Sequence, residues 1–296
     1  MRFGVLGTGF WAREIHAASL AEHEDAELVG VWGRDLAKAK ALGAEFETPG
    51  FDDLDALLAE VDAVSFSVPP AVQVPLAIRA AEAGKHLLLE KPIALSLDDA
   101  DRLVAAVRDN GVASVVFFTF RFQSGTTTWL AQAGRTRLMG GAGSWLGNLF
   151  EPGSPFKDSA WRAEKGALWD IGPHALSLFI PALGPVTQVQ AGGGLGDTVH
   201  LVLHHEGGAA STVTLSHTVA SMSSGIEFFV HGDAGRITLL PEAGPAAKAA
   251  HGVAVSELTA AALTGGTHPC DVVFGREVVA VLDAAARALD SGCREA

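Results

Sequence analysis

The chain has 296 residues, of which 48% are hydrophobic and 19% charged, and its net charge is −13. This length exceeds that of a typical domain, so we expect two domains with sizeable cores. The acidic balance argues against a nucleic-acid partner, because such a surface repels phosphate backbones. No run approaches the roughly 18 apolar residues of a membrane span, so we expect no membrane partner. The two cysteines, Cys270 and Cys293, are typical of a reducing compartment, which predicts a cytoplasmic protein without a disulfide.

The chain opens with a predicted buried strand at residues 2–6, followed at once by a glycine-rich turn and a helical pattern. The turn reads G-x-G-x-x-A, in the strand–turn–helix setting that a dinucleotide needs. Gly7 permits the tight turn, Gly9 has no Cβ to hold a pyrophosphate away, and Ala12 lets helix and strand pack closely. The helix N-terminus offers unpaired N–H groups to phosphates. The predicted cofactor-binding residues of this turn are Gly7, Thr8, Gly9, Phe10, Trp11 and Ala12.

A second apolar run, residues 28–32, predicts a buried parallel strand that ends at Gly33 and Arg34. The adenosine ribose lies beyond this strand in such folds. An acidic residue there binds the ribose 2′-hydroxyl, whereas an arginine accommodates a 2′-phosphate. Arg34 therefore favours NADP, Asp35 keeps NAD as the alternative, and a solvated loop arginine is the plainer interpretation.

Two further strand–helix periods follow. A helix begins near residue 52, a strand at 63–68 ends at a proline pair, and a helix at 72–83 leads to a strand at 86–89. This alternation predicts an open, doubly wound parallel sheet. Because ligands of such sheets lie beyond the carboxyl ends of the strands, further predicted cofactor-binding residues are Ser67, Pro69, Glu90, Lys91 and Pro92.

The pattern changes after a helix at 98–110 and a strand at 112–118. Residues 140–143 read as a flexible glycine connector and residues 144–150 as a strand. Successive strands joined by turns predict a mostly antiparallel sheet, and a closing helix covers residues 271–289. The predicted strands of this second part are 186–190, 198–204, 211–218, 226–231 and 236–240. We therefore predict a dinucleotide-binding domain at 1–118 and an α+β substrate-binding and oligomerisation domain at 119–296.

A second constellation lies at residues 166–174, where Asp170 and His174 are four residues apart. Pro173 predicts a kink or a helix start close to Asp170, because proline cannot donate the expected hydrogen bond. A carboxylate beside an imidazole raises its basicity, which suits a proton acceptor near neutral pH. The alternative is a capping aspartate with a satisfied core histidine. Lys91 could likewise be only a surface cation after a strand.

These motifs resemble, in sequence and in order, those of the Gfo/Idh/MocA oxidoreductases, the family of glucose–fructose oxidoreductase and inositol dehydrogenase. The resemblance spans nearly the whole chain. It implies a Rossmann domain followed by a domain with an open, mostly antiparallel sheet that often mediates oligomers. It assigns the catalytic positions to Lys91, Asp170 and His174.

The chain departs from the family pattern at three places. Glu164 and Lys165 precede Gly166 where the family often has three glycines, Ser177 replaces an acidic residue, and Thr119 replaces an asparagine. These differences concern the substrate pocket, so the resemblance leaves the identity of the substrate open.

The predicted reaction is hydride transfer between a nicotinamide and a secondary alcohol or ketone of a sugar, cyclitol or related polyol. Lys91 would hydrogen-bond the hydroxyl oxygen, and His174, oriented by Asp170, would take the proton, although the two roles could be exchanged. The competing interpretations are a catalytically silent cofactor-binding regulator and a redox-neutral enzyme that uses its cofactor transiently. The predicted substrate-binding residues are Arg121, Asn148, Trp161 and Arg162.

Two expectations complete the prediction. No metal site is expected, because His204 and His205 alternate faces of a strand. A homodimer or homotetramer is expected, because Val199, Leu201 and Leu203 share one face of a sheet that has few helices to cover it.

Overall fold

The structure, a computed structural model, describes residues 1–240 and 246–291. The chain divides into two compact units. The first unit comprises Met1–Phe122 with Gly244–Val279, and the second comprises Gln123–Ala243 with Ala280–Ala296.

The first unit is built on a six-stranded sheet whose order is β3-β2-β1-β4-β5-β6, and every neighbouring pair is parallel. This is the doubly wound order in which the connection reverses direction beside β1. The predicted Rossmann arrangement is therefore confirmed. Its strands are β1 (Arg2–Leu6), β2 (Glu27–Trp32), β3 (Gly50–Phe51), β4 (Ala63–Phe66), β5 (His86–Leu89) and β6 (Ser114–Val116).

Short polar side chains start the helices between these strands. Asp35, Asp53 and Ser96 each accept a hydrogen bond from a backbone N–H in the first turn of the helix that follows. Such caps satisfy donors that the helix itself cannot. The helices are α1 (Ala18–Ala21), which follows a π-helical segment Ala12–Ala17, α2 (Leu36–Glu45), α3 (Leu54–Glu60), α4 (Pro70–Glu82) and α5 (Leu97–Asp109), and a 3-10 turn covers Thr119–Phe122.

The second unit contains a six-stranded sheet of order β12-β11-β7-β10-β9-β8. Only β7 and β10 pair in parallel; the other neighbours are antiparallel, as predicted. Its strands are β7 (Leu138–Leu146), β8 (Val186–Gly193), β9 (Val199–His205), β10 (Ala210–Ser216), β11 (Gly225–Gly232) and β12 (Gly235–Leu239).

The glycine stretch at residues 140–143 was wrongly predicted to be a flexible connector, since it lies inside β7 and pairs on both sides. The glycines are needed because aromatic rings lie against the strand. A Cβ at Gly141 would lie 2.8 Å from Phe179 Cε1, and one at Gly143 would lie 2.2 Å from Phe228 Cδ1. Strand glycines of this kind mark a close approach rather than a linker.

The helices α6 (Ser124–Ala133), α7 (Ala160–Asp170) and α8 (Gly172–Leu183) belong to the second unit, as do a 3-10 turn at Ser221–Ser223 and the end of the last helix. Helix α7 is interrupted at Gly166, whose φ is 65° and ψ −169°. Asp170 ends α7 and Gly172 begins α8 with Pro173 in its first turn, so the predicted helix start near Asp170 is confirmed. Helix α8 supplies much of the core, including Leu178 and Phe179, which are fully buried.

The chain then returns to the first unit through α9 (Ala246–Thr264) and the first part of α10 (Val272–Asp290). Val116 N donates to Cys270 O at 2.7 Å, and the Arg276 guanidinium pairs with Asp101 at 2.8 Å. The compact units are therefore discontinuous in sequence, and the division into domains at 1–118 and 119–296 stays a prediction. Contacts of this kind join residues more than 150 positions apart, which no local pattern reveals.

Burial raises the pKa of the Cys270 thiol to about 11, with the charge of Arg121 opposing this rise. Cys293 lies outside the described residues. None of the helices described here is long and apolar enough to cross a membrane. Within residues 1–240 and 246–291, no group of three or more metal-ligating side chains is positioned to hold an ion.

We predict that Gly143→Ala lowers the free energy of unfolding by about 1–3 kcal/mol, because the new methyl group must displace the buried Phe228 ring. Urea unfolding measures the change. The matched control is Gly192→Ala on β8, where no atom lies within 4 Å of the added Cβ. Equal stability of the two variants would contradict the packing argument.

Candidate active site

In the first unit, the candidate cofactor site begins with the turn that follows β1. Gly7 has a φ of 133°, which other residues rarely adopt, and a Cβ there would lie 2.2 Å from Ser67 O. Gly7 N donates to Trp32 O at 2.9 Å, and Ser67 N donates to Leu6 O at 2.8 Å. The turn is thus fixed to the ends of β2 and β4, the strands on either side of β1.

Beyond Gly7 the backbone opens. No atom lies within 4 Å of the position that a Cβ at Gly9 would occupy, so this glycine borders free space. Ala12 is fully buried at the start of the helical segment, which brings the helix close to the sheet. An open glycine at a helix N-terminus, beyond the carboxyl ends of parallel strands, is the cradle that a pyrophosphate requires. The residues present therefore fit a dinucleotide.

Arg34 and Asp35, which favour NADP and NAD respectively, have different surroundings after β2. A Cβ at Gly33 would lie 2.7 Å from Thr8 Cγ2, so this end of the strand adjoins the glycine turn. Asp35 Oδ1 accepts hydrogen bonds from Ala37 N at 3.0 Å and Lys38 N at 3.2 Å, which commits that carboxylate to capping α2. Arg34 is exposed beside it.

Gln73, on α4, holds the Glu90-Lys91-Pro92 turn from behind. Its Oε1 accepts from Glu90 N at 2.8 Å and its Nε2 donates to Glu90 O, also at 2.8 Å. Gln73 is fully buried, so both groups depend on these bonds. The turn that presents Lys91 is thereby fixed in the first unit. Neither Gln73 nor its role was predicted.

The Glu90 carboxylate is part of a second buried polar network. Glu90 Oε1 accepts from Trp11 Nε1 at 2.8 Å and lies 3.2 Å from His16 Nε2, and Glu90 Oε2 accepts from Lys91 N at 3.0 Å. His16 Nδ1 in turn lies 2.8 Å from Ser65 Oγ. The glycine turn, through Trp11, and the Lys91 turn are therefore joined by one carboxylate.

His251, from α9, ends this network. Its Nε2 lies 3.1 Å from Ser65 Oγ and 3.2 Å from His16 Nδ1. Burial, reinforced by the charges of His16 and His23, holds the pKa of His251 well below its usual value. Burial therefore favours the neutral form of this imidazole.

In the second unit, Asp170 and His174 flank the junction of α7 and α8. Each is 5% exposed. The His174 ring packs against Trp145 with centroids 5.1 Å apart, and its carbonyl accepts from Ser177 Oγ at 2.7 Å. Ser177, one of the departures from the family pattern, thus contacts the backbone of His174.

Asp170 has partners that the sequence did not predict. Asp170 Oδ2 accepts from Arg162 Nε at 3.0 Å and lies 3.3 Å from His217 Nε2. His217 Nδ1 lies 3.3 Å from Asp197 Oδ2. Asp197 was not predicted either. The signal that could have found this pair is weak: one aspartate and one histidine, each at the end of a polar turn.

The predicted substrate-binding residues fall in both units. Arg121 lies in the 3-10 turn of the first unit, while the other three belong to the second. Arg162 is held by Asp170, and its guanidinium lies over the rings of Phe156 and Trp161 at 4.6 and 4.7 Å. Asn148 Nδ2 donates to Ser221 Oγ at 3.3 Å, and the backbone of Asn148 forms an isolated antiparallel β-bridge with Thr218. Their roles toward a substrate remain predictions.

Comparisons with known proteins agree with this architecture. A family model described as "Oxidoreductase family, NAD-binding Rossmann fold" matches residues 1–118, and the GFO/IDH/MocA C-terminal domain matches residues 142–238. The chain is 32% identical over 191 residues, 62% of its length, to the dTDP-3,4-didehydro-2,6-dideoxy-alpha-D-glucose 3-reductase of Streptomyces antibioticus. It is 38% identical over 109 residues, 37% of its length, to the UDP-N-acetylglucosamine 3-dehydrogenase of Acidithiobacillus ferrooxidans.

These matches span 57% and 34% of the two relatives, so the chain covers about half or less of their length. The solved structure of the Acidithiobacillus dehydrogenase superposes with a TM-score of 0.84 at 23% identity, covering 98% of each chain. At that identity the likeness concerns the fold. With both family models matched in order, the chain belongs to the Gfo/Idh/MocA oxidoreductase family and carries its NAD-binding Rossmann domain.

Proposed function

We propose that this protein transfers a hydride between NADP and a secondary alcohol or ketone of a sugar, cyclitol or related polyol. The observation that carries the proposal is the buried pair Asp170 and His174 at the α7–α8 junction, since a carboxylate and an imidazole with this burial suit proton transfer. A regulator that only bound a cofactor would have no chemical need for such a pair.

The substrate class is supported by the names of relatives. One is a 3-reductase of a dTDP-linked deoxysugar and another a 3-dehydrogenase of UDP-N-acetylglucosamine. Both names place the reacting carbon on a sugar ring. Because the aligned regions cover only part of those proteins, a sugar or similar polyol is our proposal for this chain.

We assign the acid–base roles to Lys91 and His174, with Asp170 as the partner of His174. NADP, when bound, supplies the nicotinamide that accepts or returns the hydride. Lys91, presented by the turn that Gln73 and Glu90 fix, hydrogen-bonds the reacting oxygen and stabilises the negative charge that develops on it. His174 takes the hydroxyl proton, and Asp170 positions it. Holding these groups in place beforehand lowers the entropic cost of the reaction.

The preference for NADP rests on the different contacts that Asp35 and Arg34 make after β2. Asp35 Oδ1 already accepts two backbone hydrogen bonds as the cap of α2, so one oxygen of this carboxylate serves the helix. Arg34 is exposed next to it and offers the planar donors that suit a phosphate.

We predict that Arg34→Ala weakens NADP binding by roughly 1.5–3 kcal/mol, because a charge-assisted hydrogen bond to the 2′-phosphate is lost, while NAD binding stays nearly constant. Titration calorimetry with both cofactors measures this. Gly9→Ala is the contrasting variant, since a methyl group in the open cradle should weaken both cofactors alike. Equal losses for both cofactors in Arg34→Ala would contradict the NADP assignment.

We predict that Lys91→Ala and His174→Ala each lower kcat by about 10²–10⁴-fold with cofactor affinity nearly unchanged, as expected for acid–base groups. Turnover is followed at the nicotinamide absorbance with a panel of sugars and cyclitols and protein stripped of cofactor. Alcohol oxidation should slow as the pH falls through the His174 pKa in the free enzyme, because the base becomes protonated.

The control for His174→Ala is His231→Ala, which removes an exposed imidazole of the same unit. If His174 is only a core residue, its variant will melt at a lower temperature and keep normal turnover, which would end the catalytic assignment. Turnover without net reduction of the cofactor would instead favour a redox-neutral enzyme.

We also propose a homodimer or homotetramer, although the supporting argument changes. Val199, Leu201 and Leu203 are at most 8% exposed in the single chain, so they are not the surface that a partner covers. The opposite face of the sheet carries the partly exposed Val202 and Phe229. Light scattering at micromolar concentration should give an oligomer, and a monomer would contradict this.

A cytoplasmic location likewise stays a proposal, based on the sparse cysteines.

A further inference from the structure

His217 follows β10 and is enclosed by two carboxylates from distant parts of the second unit. Its Nε2 lies 3.3 Å from Asp170 Oδ2, and its Nδ1 lies 3.3 Å from Asp197 Oδ2. The imidazole side chain is only 4% exposed. Phe150 covers it with an edge-on ring at 6.2 Å. No motif of the sequence includes this residue.

Two ionised carboxylates on opposite sides of one ring require both ring nitrogens to carry hydrogen. A neutral imidazole has a single N–H and directs a lone pair at its second neighbour, which would repel a carboxylate oxygen. Burial opposes the charged ring, but Asp170 and Asp197 outweigh it and raise the pKa of His217 above its usual value. The geometry and the charges both favour an imidazolium.

Asp197 is the fixed end of this arrangement. Its Oδ1 accepts from Ser216 Oγ at 2.9 Å, His217 N at 2.8 Å and Thr218 Oγ1 at 2.9 Å. Although burial opposes ionisation, these bonds and His217 hold the pKa of Asp197 well below its usual range. These contacts therefore favour the ionised form of Asp197.

Asp197 also reaches the segment that leads to Asp170. Its Oδ2 accepts from Ala167 N at 3.1 Å, directly after the break in α7 at Gly166. A Cβ at Gly166 would lie at an ordinary contact distance, 3.6 Å from Asp197 Cβ. The positive φ, rather than a lack of space, is what favours glycine at this position. One carboxylate thus ties the end of β10 to the last turn of α7.

We infer that His217 is a positioning residue, which as an imidazolium fixed by Asp197 holds the Asp170 carboxylate in place beside Arg162. This inference rests on the proposed function, in which Asp170 positions His174 for proton transfer. His217 gives the Asp170 carboxylate the orientation that this role requires. The charged groups that face the His217 ring include Asp170 and Asp197, and the guanidinium of Arg162 contacts the same Oδ2 oxygen of Asp170. Loss of the ring proton removes a cation that balances the charge of Asp170.

The direct test is NMR of the histidine rings in the full-length protein labelled with ¹⁵N-histidine. The His217 signals, identified by their loss in His217→Gln, should show both nitrogens protonated at pH 7.5, above the ordinary histidine pKa of about 6.5. A single neutral tautomer at that pH would overturn the inference. This measurement needs no turnover, so it holds even if the proposed function fails.

The second test separates positioning from simple support of the fold. In His217→Gln, kcat should fall about 10-fold or more with unchanged NADP affinity. An alkaline decline in wild-type kcat, caused by loss of the His217 proton, should disappear. The titration midpoint of the His174 ring signals should also move, which again needs no turnover. His231→Gln is the matched control and should change none of these readouts.

A structural role predicts a different result. If His217→Gln melts at a lower temperature but keeps the wild-type kcat, pH profile and His174 titration, the inference is overturned.

Because the pKa of His217 is raised in the folded protein, the stabilisation that His217 provides should be complete below about pH 6.5 and lost as the pH rises through that raised pKa.

Discussion

The nucleotide end of the first unit depends on the close approach of Gly7 to the Ser67 carbonyl. The 2.2 Å that would separate a Cβ from Ser67 O leaves room for no other residue at position 7. This contact lets β1 end between β2 and β4 while the chain turns outward into a helix. The open space at Gly9 and the neighbouring end of β2 both follow from that turn. The crevice exists because one side chain is absent.

The second recurring theme is the fixing of charged groups by buried polar partners. In the first unit, the Glu90 carboxylate accepts one hydrogen bond from Trp11 in the glycine turn and another from the backbone N–H of Lys91. In the second unit, the Oδ2 oxygen of Asp170 contacts both Arg162 and His217. A buried charge is tolerated only when it is paired, so such arrangements are specific in geometry. They fix the carboxylates of Glu90 and Asp170 within their own units.

Much of the fold and the central motifs could be predicted from the sequence, because the signals are local. The G-x-G-x-x-A turn, the strand–helix alternation and Pro173 each act within a few residues. The glycines of β7 were misread because their reason, the rings of Phe179 and Phe228, is distant in sequence. The return of α9 to the first unit escaped prediction for the same cause.

The polar partners of the motifs were equally hidden. Gln73 and Glu90 are 17 residues apart, His16 and Glu90 are 74 apart, and Asp197 and His217 are 20 apart. Each residue alone is an ordinary member of a helix, a turn or a strand end. Only the folded chain shows that they surround Glu90 and Asp170. Sequence reasoning therefore found the residues that carry chemistry more readily than those that position them.

The central claim is hydride transfer between substrate carbon and nicotinamide, and isotope transfer tests it most directly. A sugar or cyclitol that the protein oxidises would be prepared with deuterium at the reacting carbinol carbon and incubated with NADP. The account predicts that mass spectrometry finds the deuterium on one face of the reduced nicotinamide, with a ketone as the product. Substrate conversion that leaves no deuterium in the cofactor pool and yields no ketone would contradict it.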